Sequence, residues 1–178
     1  LVDLDGATVS VEDISTSGSD ADTGAGGDAG TITVDADDAA APTITLRGDL
    51  TAAGGTGSGA ADGNGAAILI GNDLTGGTAE DSINFGAITG GQLDIDTTGD
   101  TDGDVTFDGI INGATQRLFI EAGAANVVLG DDSDDTVDSF SLIDVDSANN
   151  ATFNGAVGSL TTVVDMQFTL TGDLLFAD

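Results

Sequence analysis

The chain has 178 residues, with 32 acidic side chains set against Arg47 and Arg117, no lysine and no histidine, for a net charge of −30. Two isolated cations cannot neutralise a row of phosphates, so nucleic acid and anionic membrane surfaces are excluded as partners. The absence of cysteine removes disulfide frameworks, thiolate metal sites and cysteine nucleophiles. No apolar run approaches the roughly 20 residues that span a bilayer as a helix.

From the N-terminus a short phrase recurs: apolar, any residue, apolar, one or two turn residues, apolar. It reads Val9-Ser-Val-Glu-Asp-Ile14, Ile44-Thr-Leu-Arg-Gly-Asp-Leu50, Ile68-Leu-Ile-Gly-Asn-Asp-Leu74, Ile83-Asn-Phe-Gly-Ala-Ile88, Val105-Thr-Phe-Asp-Gly-Ile110 and Ala151-Thr-Phe-Asn-Gly-Ala-Val157. Shorter forms stand at Val127-Val-Leu129 and Leu174-Leu-Phe176. From Ile83 onward the starts lie 22, 22, 24 and 23 residues apart, a period in the range of one solenoid coil. Before that, Asp13-Ile-Ser-Thr and Gly30-Thr-Ile-Thr-Val34 correspond to Asp49-Leu-Thr-Ala and Ala66-Ala-Ile-Leu-Ile70 at a spacing of 36. Between them, residues 18–30 and 54–65 lack apolar side chains larger than Ala and read as excursions from the coil. Further strands are expected at residues 31–34, 93–95, 118–120, 140–145 and 163–170, which are β-branched or aromatic and bounded by Gly, Asp or Asn.

No stretch carries a 3.6-residue apolar stripe with caps, so essentially no helix is expected. Two or three strands per period of about 23 residues is the arithmetic of a parallel β-helix, whose coils stack at roughly 4.8 Å. Phenylalanine is the only aromatic, and the other apolar residues are mainly Ala, Val, Ile and Leu, which suits thin layers of stacked small side chains. Phe85, Phe107 and Phe153 occupy the same place in the phrase and are expected to form one ladder. All acids except Glu12, Glu80 and Glu121 are aspartates, which favour turns. The length suits one domain, residues 1–178. Opening on Leu1, the chain reads as a mature segment or an excerpt of something longer.

The stretches Asp13-Ile-Ser-Thr-Ser-Gly, Gly26-Gly-Asp-Ala-Gly-Thr-Ile-Thr-Val34 and Asp104-Val-Thr-Phe-Asp-Gly-Ile-Ile-Asn-Gly113 resemble repeats of large bacterial surface proteins of the filamentous-haemagglutinin and autotransporter-adhesin type. That resemblance covers most of the chain and implies a right-handed parallel β-helix, an extracellular or cell-surface location, and a role as stalk, adhesin or fibre. It carries over no catalytic residue. The acidity departs from the family pattern and leaves the adhesive target open.

Aspartate clusters are the candidates for chemistry. Asp100, Asp102 and Asp104 alternate around a glycine, and Asp131, Asp132, Asp134 and Asp135 fall within five residues. Calcium takes six to eight oxygens in irregular loops, so both clusters are candidate calcium sites; the alternative is a solvated acidic loop. Residues 71–77, Gly-Asn-Asp-Leu-Thr-Gly-Gly, have a faint likeness to calcium-binding nonapeptide repeats but do not recur in tandem. Residues 54–59, Gly-Gly-Thr-Gly-Ser-Gly, lack the lysine and helix of a phosphate cradle and read as a flexible loop. Enzymes with this kind of fold set Arg, Lys or His beside their carboxylates; with no His or Lys here, no enzymatic activity is expected.

The expected function is therefore structural: a segment of a filament, stalk or adhesin that associates end to end with copies of itself or continues into further repeats. One alternative is a glycan- or surface-binding module, which would show a concave polar or aromatic face. Another is a β-sandwich subunit polymerising by donation of residues 169–176.

Overall fold

A computed structural model describes residues 1–36, 42–71, 82–88, 90–130, 133–158 and 162–177. The first coil is β1 (Val2–Leu4), β2 (Thr8–Val11) and β3 (Ile14–Ser15). The second is β4 (Ile32–Val34), β5 (Thr43–Leu46) and β6 (Leu50–Thr51); the third is β7 (Ile68–Ile70), β8 (Ser82–Phe85) and β9 (Gln92–Asp96). The fourth is β10 (Val105–Phe107), β11 (Ile110–Asn112) and β12 (Arg117–Glu121). The fifth is β13 (Val127–Leu129), β14 (Thr136–Asp138) and β15 (Leu142–Ala148). The sixth is β16 (Ala151–Phe153), β17 (Ala156–Val157) and β18 (Met166–Leu170), after which β19 (Leu174–Phe176) begins a seventh.

Every third strand stacks on its predecessor. The first sheet has the order β1-β4-β7-β10-β13-β16-β19, the second joins β2, β5, β8, β11, β14 and β17, and the third joins β3, β6, β9, β12, β15 and β18. All pairings between these strands are parallel. The chain is thus a three-sided parallel β-solenoid, as its repeats lead one to expect, and the β-sandwich alternative is excluded by strand direction.

Within each short strand the side chains alternate between core and surface. Ile32, Ile68, Val105 and Val127 stack inside the first sheet, and Val34, Ile70, Phe107, Leu129 and Phe153 form a second inward column there. Ile44, Ile83, Ile111 and Val137 close the second side, and Leu50, Ile95, Ile120 and Val145 the third. All are at most 1% exposed, and each such burial stabilises the fold by about 1.5–3 kcal/mol relative to exposure.

The first-sheet strands begin at Val2, Ile32, Ile68, Val105, Val127, Ala151 and Leu174, so successive coils take 30, 36, 37, 22, 24 and 23 residues. The period of about 23 holds for the last three coils only. This corrects the expected phenylalanine ladder. Phe107 and Phe153 share the first sheet, separated by Leu129, whereas Phe85 belongs to the second sheet, where it pairs with Leu46. Phe85 still meets Phe107 across the core, with ring centroids 6.3 Å apart, and sits edge-on to Phe140 at 5.0 Å. The 22-residue step from Ile83 to Val105 links two different sheets; the true predecessor of Val105 is Ile68.

The excursions are also more ordered than a flexible loop. Residues 16–31, 52–67 and 97–104 leave the third sheet, fold back on themselves and stack coil on coil. Gly27 N–H donates to Ser19 O and Gly63 N–H to Gly55 O within a layer, while Gly55 N–H donates to Gly27 O and Gly54 N–H to Thr98 O between layers. A Cβ on Gly63 would lie 1.8 Å from Gly27 O, and one on Gly55 2.2 Å from Ser19 O. The glycines there permit backbone to pack on backbone where no side chain fits.

Candidate functional site: the outer face of the third sheet

The outward positions of the third sheet form three columns. The shortest pairs Gln92 with Arg117. A second runs Asp94, Phe119, Asp144 and Gln167, headed by Asp49, whose carboxylate accepts from Asp94 N–H, and a third starts Ser15, Thr51, Asp96 and Glu121. Beyond Glu121 a bulge in β15 puts Ser147 opposite it and leaves Asp146 exposed beside it. Parallel stacking therefore sets Asp96 next to Glu121 at one strand spacing, a like-charge neighbour pair of the kind that destabilises a sheet.

These side chains line a groove of about 570 Å³, with Phe119 among carboxylates. A second hollow of about 550 Å³ shares Asp49, Gln92 and Asp94 with it and reaches Glu12, Asp13 and Arg47. The guanidinium of Arg117 lies 4.8 Å from the centre of the Phe119 ring, a cation–π distance. Gln92 Nε2 donates to Asp94 Oδ1. Partial desolvation against the sheet, then Asp96, Asp146 and Asp94, raise the Glu121 carboxyl above the ordinary glutamate value. Desolvation and then Asp146 raise that of Asp144, with Arg117 acting in the opposite sense and Asp165 adding to the rise.

The sequence-predicted aspartates lie elsewhere. Asp102 and Asp104 stand in the third excursion. Asp102 accepts hydrogen bonds from Gly99 N–H at 2.8 Å and from Ala124 N–H of the next coil at 2.6 Å, and Asp104 accepts from Asn126 N–H at 2.8 Å. Asp100 is exposed in the same excursion, and its backbone N–H donates to Gly63 O. Asp134 is exposed and Asp135 fully buried, and both have interaction partners. Asp131, Asp132 and residues 72–77 lie outside the described residues. Among the described residues no three carboxylates converge closely enough to hold a metal ion.

What Asp102 and Asp104 do is repeated along the chain. Asp13 accepts from Asp49 N–H at 3.0 Å, and Asp49 from Asp94 N–H at 2.9 Å. Asp28 accepts from Asn64 N–H, and Asn150 Oδ1 from Asp173 N–H. Asp20 receives both the N–H and the hydroxyl of Thr56, and these bonds, the backbone one first, hold its carboxyl below the usual aspartate value. Each bond joins one layer of the winding chain to the next: Asp13 and Asn150 do so at corners, Asp20 and Asp28 within the excursions, and Asp49 against the middle of β9. The turn preference of aspartate is legible in sequence; its use as an inter-coil tie follows from the stacking.

Sequence reasoning missed the groove, because its members come from four coils and only the register brings them together. No protein-family model, no curated protein and no solved structure matches this chain. The fold and the groove define a class, a three-sided parallel β-solenoid with one strongly acidic side.

Proposed function

We propose that this chain is a structural segment of an extracellular or cell-surface bacterial filament, stalk or adhesin, stacking end to end with copies of itself or with further coils of the same kind. The observation that supports it is the C-terminal end of the described solenoid. Val164 is 73% exposed, and Leu174, Leu175 and Phe176 are 40–50% exposed. A hollow of about 570 Å³ there is lined by Val157, Val163, Met166 and Phe176. Unpaired parallel edges over an open apolar layer are templates for another coil. Divalent cations such as calcium would offset the repulsion between copies, with Asp134 and Asp135 and their neighbours Asp131 and Asp132 as the ligand cluster. Sedimentation and electron microscopy with and without a chelator test both parts. Filaments that shorten on chelation, and that Phe176→Asp abolishes, support the reading; compact monomers in both conditions overturn it. Elemental analysis of purified protein decides the calcium part.

A second reading, a module binding a neutral glycan, is favoured by the groove. Phe119 offers a ring for stacking beneath Arg117, and Asp94 and Asp144 flank it as acceptors for hydroxyl groups, while the acidity repels uronates. Titration with neutral oligosaccharides, comparing the native chain with Phe119→Ala, tests it: unchanged binding by the variant would sink this reading.

A further inference from the structure

The outer face of the second sheet is chemically opposite to that of the third. One of its columns runs Thr8, Thr43, Ser82 and Ile110, with Thr136 and Ala156 paired further along. The other runs Ser10, Thr45, Asn84, Asn112 and Asp138. Asp138 is only 4% exposed, so among the described residues the strands of this face show water hydroxyls, amides, one isoleucine and one alanine, in a chain of net charge −30. The first sheet has a single outward column, from the exposed Asp3 through Thr33, Leu69, Thr106, Val128 and Thr152 to Leu175. That column is half as wide and lies beside Asp104 and Asp173.

We infer that the second sheet's outer face is a lateral contact between two copies of this chain. Copies carrying this charge repel one another wherever carboxylates face carboxylates, and the second sheet is the broadest side on which they do not. At its rim, directly after β2 and β5, the exposed Glu12 and Arg47 are stacked neighbours, so the rim adds one carboxylate and one cation side by side and no net charge. Both copies present the same strand spacing, so hydroxyl and amide columns on one can interleave with those on the other.

Area sets the strength. Six strands about 4.8 Å apart and about four residues wide at about 3.3 Å each give a patch of about 300 Å², against about 800 Å² per partner in a stable complex. A single pair of copies is held weakly. Copies already stacked end to end align several patches, and the contact becomes stable by multivalency. In strength, though not in existence, this contact rests on the filament reading.

The cysteine-free chain allows a direct test by oxidative cross-linking of single-cysteine variants at high protein concentration. Asn84→Cys places a thiol mid-face on the second sheet, Thr106→Cys on the first and Thr51→Cys on the third. The expected result is dimer formation about tenfold faster for Asn84→Cys than for either control, the discrimination of a weak specific contact. Adding Ile110→Asp or Arg47→Glu to Asn84→Cys should bring its rate down toward the controls, with thermal unfolding used to confirm that each variant is folded. Equal rates on the first and second sheets, or no cross-linking of Asn84→Cys, overturns the inference. Because mid-face thiols do not meet in end-to-end stacking, a positive result without filaments leaves this contact standing and removes the filament reading, and the reverse result does the opposite.

Discussion

The second and third sheets have six strands each, wound from the same coils around one core, yet their outer faces differ in kind. One displays Thr, Ser and Asn; the other stacks Asp49, Asp94, Asp96, Glu121 and Asp144 around Phe119. Inward positions on both are interchangeable apolar side chains, mostly aliphatic with Phe85 and Phe168 among them, because the core asks only for volume and apolarity. Outward positions answer to no such demand. A like-charge column that lowers stability therefore points to what surrounds the protein, whether a ligand, a cation or water, and the uncharged face points to what can approach it.

The largest expected effect comes from breaking what the two faces share. Ile111→Asp puts an unpaired charge into the fully buried column behind the second sheet and should destabilise by at least about 4 kcal/mol. The outward substitution Thr45→Ser on the same sheet, which adds no charge, should change stability by less than about 0.5 kcal/mol; urea unfolding of both separates core from face. Next comes the corner tie. Asp104→Ala removes the acceptor for Asn126 N–H and should cost about 1 kcal/mol, whereas Asp104→Asn retains most of it, since Asn150 serves Asp173 in the same way. A smaller effect is expected on the acidic side. Glu121→Gln removes a carboxyl stacked on Asp96 and should raise stability by a few tenths of a kcal/mol in low salt, a gain that added salt erases.

The pH dependence sharpens the same contrast. Glu121 and Asp144 have folded-state values above their ordinary ones, so on acidification the folded chain takes up protons before the unfolded chain does. Stability should therefore rise as pH falls from neutral through the raised folded values, and the gain is complete below the ordinary carboxylate values, about 4. Asp20 runs the other way: its lowered value makes its contribution present above the ordinary aspartate value and lost as pH falls further. Thermal unfolding from pH 7 down to about pH 4 should show a rise in melting temperature that Glu121→Gln flattens. A melting temperature that falls over that range would show the acidic column to be compensated already.

Where coil length was constant, the fold was legible. The 36-residue correspondence pairs Ile14 with Leu50 and Ile32 with Ile68 as stacked neighbours, because the first two excursions have equal length. The 46-residue step from Thr106 to Thr152 passes through Val128, two coils on. Phe85 was misplaced because a chance equality of spacing links a second-sheet strand to a first-sheet strand. The Gly-rich segments look like linkers in composition, and only the approach of Gly63 to Gly27 O reveals them as packed layers.

The sequence by itself determined that this chain winds into parallel coils with aliphatic columns inside and aspartate at the corners, because a period of two within strands and recurring turn residues act locally. Which residues share a side was decided only by the tertiary structure. Asp96 lies beside Glu121, and Thr45 beside Asn84, across separations that depend on the length of every intervening corner. Vertical register turns scattered residues into an acidic groove on one side and an uncharged plane on another.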